Sequence, residues 1–408
     1  MATPGSVVLG PNNPKELGED NVPLYPCDGA VLSVTAFATQ HLAHLHPLEQ
    51  RLIEGTLDRL PRETEIPSLF RSCLTRSADL RTAEEPALVA RRSGARSAYL
   101  PELSIKLKGC RPSLDDATYP IEHLPFDGDA VRYARIPFGV LRAEGAMREV
   151  LAWSFHAVHG LPVHGVPVAV FEYRSAGTVL GYCLALRTVG ETRIEAFVRY
   201  PQGTVGELLS HANTQDGVVW NSELGLHDVN LWWYAEEKSR LLSSMHLAGG
   251  FRGVLNSNIG NDVLITGADG SRHLFLCDFD TFHVIDVAPG GAGSRDFLEA
   301  FVRHALVEVV KGSLSILTFP DLSGCTTSAE RGAVLGRTYF ERSSIWRAYE
   351  RRLLGGLRRL GWRPSEVEEA IENAVRSAAF VSVVEECVLN SHYLEERAHQ
   401  RGVFYPHN

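Results

Sequence analysis

Between Gly253 and Asp286 the chain reads GVLNSNIGNDVLITGADGSRHLFLCDFDTFHVID, and this stretch narrows the possible folds more than any other. Val263, Leu264 and Ile265 form one short apolar run, and Leu274, Phe275 and Leu276 form another. Gly267-Ala268-Asp269-Gly270 between them supplies the residues that a tight turn requires, so the spacing predicts a β-hairpin. Such a hairpin holds Asn261 at its entrance and Asp278 at its exit, where the acidic triplet Asp278-Phe279-Asp280 begins. One amide and one carboxylate arriving from separate segments suit magnesium, a hard cation that takes a few protein oxygens and leaves its other positions to phosphate and water. Asp280 competes for the same role, since it would point to the same side of an extended chain as Asp278.

The chain has 408 residues, enough for two or three domains or for one two-lobed enzyme with extensions. Hydrophobic residues make up 44% and charged residues 22%, ordinary values for a water-soluble protein, and no apolar run approaches the length that spans a bilayer. The opening MATPGSVVLGPNNPKELGED lacks a basic segment followed by an apolar one, so no secretory signal is expected and a cytoplasmic location is. Seven cysteines stand singly without a C-x-x-C pair, which predicts reduced thiols. A net charge of -9 gives no basic footprint, so neither nucleic acid nor an anionic membrane is expected as a partner.

From about residue 35 to 90 the pattern is helical and polar, broken at His46-Pro47, Leu60-Pro61 and Ile66-Pro67, which predicts short helices wrapped around something larger. His41, His44 and His46 have no carboxylate or thiol nearby, so they are not read as a metal site. Strands begin near Ala87. Leu103, Ile105 and Leu107 alternate with Ser104, Lys106 and Lys108, so both lysines leave the face opposite the apolar one, either to reach a phosphate or to stay solvated. Glu144 to Gly160 reads as a helix with Met147, Val150, Leu151, Phe155 and Val158 on one stripe. Glu149 lies on the other side, placed either to pair across a cleft with a strand lysine or to remain in water. Val166 to Tyr173 and Val179 to Leu186 read as strands. Pro289 to Gly293 reads as a linker before a helix capped by Ser294. Helices follow around Tyr339 to Leu360 and from Pro364-Ser365, where Glu368 completes a capping box.

A strand with lysine, a helix with glutamate, further strands, a loop, a hairpin and an acidic triplet is the order of a protein-kinase-like fold. The expected architecture is therefore α+β and two-lobed, with helical N- and C-terminal extensions. Residues 1–90 are read as tail and extension, 91–190 as N-lobe, and 191–408 as C-lobe with a helical C-terminal region. On the kinase spacing D-x-x-x-x-N, Asn256 stands where the base would be and Asn261 at the metal-binding Asn, and the first carboxylate in the loop is Asp262.

From about residue 100 to 290 the motifs resemble those of the selenoprotein O family, protein adenylyltransferases with a pseudokinase-like fold. Leu107-Lys108-Gly109 is similar to that family's LKG, and Val140-Leu141-Arg142 with Met147-Arg148-Glu149 to its VLRSSIRE. Arg187-Thr188 with Arg193 is similar to its RTAPSHIR, Gly253 to Asn256 matches its GVLN, and Asp278 to Asp286 lines up with its DYGPFGFLD. Where the family continues with TDN the chain has Ser257-Asn258-Ile259, so Asn258 takes the position of the family's Asp, and the family's metal-binding Asn is either replaced or displaced to Asn261. Gly402 to Tyr405 offers no counterpart of the family's redox-active C-terminal residue.

The resemblance implies that Lys108 and Glu149 form the ion pair that positions phosphates, that Asp278 binds the metal, and that Arg187 and Arg193 hold a nucleotide in a flipped orientation. ATP and Mg2+ are the implied cofactors, and the implied reaction transfers AMP to a hydroxyl on an acceptor, protein or small molecule. Asn258, Asp262 and Asp278 are the candidate catalytic residues. A kinase and a nucleotide-binding pseudoenzyme are the alternatives.

Overall fold

Strand-forming sequence dominates the first half of the chain, and most of it joins one sheet. The computed structural model describes residues 21–75, 87–92, 97–110, 118–123, 132–137, 141–175, 178–187, 192–193, 217–221, 226–230, 232–253, 257, 261–266, 272–287, 295–313, 326–327, 330 and 344–377. The fold is mixed helix and sheet, of the α+β kind. It divides into a first unit, Met1–His123 with Val131–Thr192 and Leu264–Val284, and a second, Leu124–Ala130 with Arg193–Val263 and Ile285–Asn408.

The described strands of the first unit include β1 (Asn21–Cys27), β2 (Gly29–Ser33), β3 (Cys73–Thr75), β4 (Leu88–Arg92), β5 (Ser97–Leu100), β6 (Ile105–Lys108), the pair β7 (Thr118–His123) and β8 (Arg132–Pro137), and the long β9 (Val166–Ser175) and β10 (Thr178–Arg187). Eight of them form an antiparallel near-barrel in the order β2-β9-β10-β6-β5-β4-β1-β3. Its interior is filled by Leu24, Ala98, Leu107, Phe171, Tyr173 and Cys183, among others. Phe70, in the 3-10 turn just before β3, meets Phe171 of β9 edge-on at 5.4 Å.

Among the described residues three α-helices belong to this unit: α1 (Val34–His41), α2 (Pro47–Glu54) and α3 (Ala143–His159). Ser33 caps α1 by accepting from the Ala36 N–H at 3.1 Å, and Glu49 accepts from the His46 N–H at 3.2 Å at the start of α2. Short helices are thus present where the sequence predicts them, and they dock on α3: Thr56 donates to Ser154 at 2.6 Å, and buried Glu49 pairs with Arg148. His46 accepts from the Leu48 N–H, while His41 packs against Phe37 at 4.5 Å, so both have structural roles.

The strand alternation read from Leu103 starts later than expected. Pro101–Leu103 form a 3-10 turn and Ser104 takes φ 51, so Leu103 is exposed and only Ile105 to Lys108 are strand. Neither face of β6 is solvated, since Lys106 is 7% and Lys108 5% exposed.

The second unit contains α4 (Trp232–Leu247), α5 (Arg295–Ser313), α6 (Ser344–Arg359) and α7 (Pro364–Arg376), together with the paired strands Gly217–Asn221 and Leu226–Asn230. Glu236 of α4 pairs with Arg351 and Arg352 of α6 at 3.1 and 2.9 Å. The capping of α7 differs from the sequence expectation. Arg363 is the cap residue and Glu366 accepts from its N–H at 3.1 Å, because Pro364 already occupies the first helical position.

The predicted hairpin strands are Asp262–Thr266 and Arg272–Leu276, neighbours in a small sheet; the turn residues Gly267 to Gly270, like Ser294 and the Pro289–Gly293 segment, lie outside the described residues. Among the described residues no helix is long and apolar enough to cross a membrane.

Candidate functional site

Lys108 ends β6, in register with Leu184 of β10 and Ser97 of β5, and it leaves the face opposite Leu107. The next residue must be glycine: Gly109 has φ 83, and a Cβ there would lie 2.4 Å from the Leu141 Cβ. Glu149 is carried by α3, one turn after Gly145. That glycine lets the helix run close to the acidic triplet, because a Cβ on it would sit 3.2 Å from the Asp280 Cβ.

These elements bring four charged groups together within the first unit. Lys108 Nζ donates to Glu149 Oε1 and to Asp278 Oδ1, and stands 3.7 Å from Asp280 Oδ2. Glu149 Oε1 also accepts from the Phe279 N–H at 3.0 Å, so one carboxylate holds both the lysine and the backbone of the triplet. Phe279 packs edge-on against His156 at 5.1 Å and Phe282 at 5.6 Å, which fixes where the triplet leaves its strand.

One ammonium therefore faces three carboxylates in a region that is nearly dry around Lys108 and Glu149. Burial pushes the Glu149 carboxyl above its ordinary value; the Lys108 charge pulls it down, and Asp278 and Asp280 push it further up. Asp278 is the most exposed member, with 17% of its side chain accessible, and it adopts φ 68. Among the described residues only Ser104 shares a positive φ without being glycine. A left-handed backbone costs an L-residue roughly 1–2 kcal/mol, and such strain tends to collect at functional positions. Among the described residues no three His, Cys, Asp or Glu side chains are grouped to hold a metal ion by themselves.

Asn256 and Asn258 lie outside the described residues, while Asn261 and Asp262 belong to the second unit. Asp262, read from the sequence as a candidate catalytic residue and the first carboxylate in the loop, is wholly buried. Its Oδ2 accepts from the Tyr234 hydroxyl at 2.6 Å and from Lys238 Nζ, and its Oδ1 faces Arg252 Nη1 at 3.3 Å. A base must reach a hydroxyl arriving from solvent, whereas these donors occupy and enclose the carboxylate, which makes it an anchor for the strand it opens. Burial pulls the Lys238 ammonium below its ordinary value, against the attraction of Asp262.

Arg187 ends β10 opposite Ile105, whereas Leu184 and Leu186 stand opposite Lys108 and Lys106. Alternation along the strand therefore sends Arg187, which is exposed, to the sheet face away from Lys108. Arg193 lies in the short strand Thr192–Arg193, and its side chain is outside the described part.

Sequence reasoning missed the residues that hold Gly253 and Asn261. Buried Arg252 donates to the Asn261 carbonyl at 3.3 Å. The Gly253 N–H donates to Glu308 Oε1 at 2.6 Å, Glu308 Oε2 meets His246 Nε2 at 2.9 Å, and His246 Nδ1 meets the Tyr349 hydroxyl at 2.8 Å. Only Tyr234 and Lys238, four residues apart on a helix, carried a spacing signal; Glu308 and Tyr349 are too distant in sequence to have shown one.

Comparison with known proteins finds no matching family model and no significantly similar curated protein.

Proposed function

We propose that the protein is an ATP- and magnesium-dependent transferase of two-lobed, kinase-like fold that transfers AMP to a hydroxyl acceptor. The observation that carries this reading is the meeting of Lys108 from a strand, Glu149 from a helix and Asp278 from the end of a hairpin around one ammonium. In this reading Lys108 supports the nucleotide phosphates. Glu149 holds that lysine and the Phe279 amide in place, so the triplet cannot drift.

Asp278 and Asp280 offer hard oxygens in a cluster with excess negative charge, a donor set that fits magnesium completed by phosphate and water. Magnesium held there would neutralise charge on the transferring phosphate. Transfer of this kind depends on positioning and charge stabilisation more than on a base, which is compatible with amides at Asn256 and Asn258. Choosing AMP over phosphate rests on the motif resemblance across residues 100–290. The five described cysteines are free and buried, which accords with a reducing, cytoplasmic setting.

The test supplies ATP labelled at either the α- or the γ-phosphate and follows the label into acceptors. Entry of the α-label with release of pyrophosphate supports adenylylation. Entry of the γ-label alone makes the protein a kinase, and tight nucleotide binding with no transfer makes it a pseudoenzyme.

A further inference from the structure

The face of the sheet that receives Arg187 is not bare. A cleft of about 440 Å³ opens there, between the strand ends and the chain that follows α2. Its floor is Leu60, Ile105, Val166 and Val168, and its rim carries Arg59 and Arg187. We propose that this cleft is a second binding site, separate from the Lys108 cluster, for a small amphipathic anion: an apolar body bearing one carboxylate or phosphate.

The size lies within the roughly 300–1,000 Å³ of small-molecule sites, which are mostly apolar with a few orienting polar groups. The wall is fixed, because Thr35 donates to the Pro61 carbonyl at 3.0 Å and Pro61 and Pro67 stiffen the segment. The open donors on the rim, not net charge, decide the ligand class. Among the described residues neither guanidinium is engaged in a hydrogen bond or an ion pair through its side chain. Two carboxylates, Asp58 and Glu65, also line the cleft, but Glu65 already accepts from the Arg62 N–H at 2.7 Å. The lining charges balance, two guanidinium groups against two carboxylates, but among the described residues Arg59 and Arg187 form no ion pair with either, so their donors stand open above an apolar floor. Arginine grips carboxylate or phosphate through two parallel N–H groups, so an oxyanion at the rim with its body on the floor satisfies both halves of the site.

The probe is anilinonaphthalene sulfonate, an aromatic body with one anionic group, titrated by fluorescence onto the full-length protein. Saturable binding is expected, and Arg59→Glu and Arg187→Glu should each weaken it by about tenfold or more, since each replaces a charge-assisted contact with repulsion. Both side chains are exposed, so the variants should keep the wild-type melting temperature. Naphthoate and naphthyl phosphate should compete with the dye, the stronger of them showing whether the site prefers carboxylate or phosphate. Saturating ATP with magnesium should leave the dye bound. The proposal is overturned if either variant binds the dye as the wild type does, if neither naphthyl acid competes, or if ATP displaces the dye.

Discussion

At Asp278 a charge and a backbone conformation are demanded of the same residue. Its carboxylate meets Lys108, and its φ of 68 belongs to a region that glycine enters freely. On the proposed function, Asp278→Ala should lower metal-dependent transfer by ~10²-fold or more, the scale seen when a pre-placed stabilising charge is lost. Asp278→Gly should lose as much activity and yet be more stable than the alanine variant by about 1 kcal/mol, because only alanine keeps the left-handed strain. Denaturant unfolding compares the two; equal stabilities would mean that the backbone is not strained, and wild-type turnover in either would move the metal-binding role to Asp280. Glu149 supports a second experiment. Its carboxyl titrates above the ordinary 4.5 because burial outweighs the pull of Lys108. A raised folded value means that the native state holds this proton more tightly than the unfolded chain does. The associated stability is therefore complete below the ordinary value and is lost as pH rises through the folded value. Glu149→Gln stays neutral throughout, so its stability should fall less steeply than that of the wild type as pH rises from about 4.5. Parallel pH profiles of unfolding free energy would show that Glu149 does not titrate above its ordinary range.

Elements were legible where a local period or turn signal defined them. The hairpin strands, α3 ending at Gly160, and β9 and β10 follow from alternation, a 3.6-residue stripe and glycine punctuation. Alternation and the helical stripe put Lys108 and Glu149 on definable places of their elements but left open whether either was solvated; their pairing was implied only by the motif resemblance. Arg187 shows where this fails. Its parity relative to Lys108 depends on the register between β10 and β6, which no single strand encodes. The chain from Gly253 through Glu308 and His246 to Tyr349 was equally invisible, because it joins α4, α5 and α6 through pairings 55, 62 and 103 residues apart. A neutral ring donating from Nε2 to Glu308 can accept the Tyr349 hydroxyl at Nδ1, so every member is satisfied. Glu308→Ala would strand two buried donors at about 1–3 kcal/mol each, giving a loss of roughly 2–6 kcal/mol. Tyr349→Phe removes one neutral hydrogen bond and should cost about 1 kcal/mol. Urea denaturation would expose a wrong assignment through equal losses in the two variants.

At the scale of the molecule, sequence reading named an α+β fold but treated the first ninety residues as a covering. The reason is that β1 to β3 are short and their partners lie far along the chain: β2 pairs with β9, and β1 with both β3 and β4. Such pairings leave no local period to detect. Their consequence is that the first unit should not fold without this segment. Removing residues 1–75 takes away three of the eight strands of the near-barrel and leaves β9 and β4 each with an unpaired edge. It also removes Glu49, the carboxylate that holds Arg148 on α3. Leu24, Val34, Phe37 and Phe70 are at most 1% exposed in the intact chain. Burying each contributes about 1.5–3 kcal/mol, or roughly 6–12 kcal/mol for the four, which is comparable to the entire stability of about 5–15 kcal/mol that a folded domain possesses. A chain beginning at residue 76 should therefore lose the cooperative melting transition of the first unit and the dispersed amide resonances of its strands, together with any nucleotide binding through Lys108. Preserved dispersion and a wild-type melting temperature in that truncated chain would show instead that β4 to β6 with β9 and β10 form a self-sufficient sheet, and that residues 1–75 merely cover it.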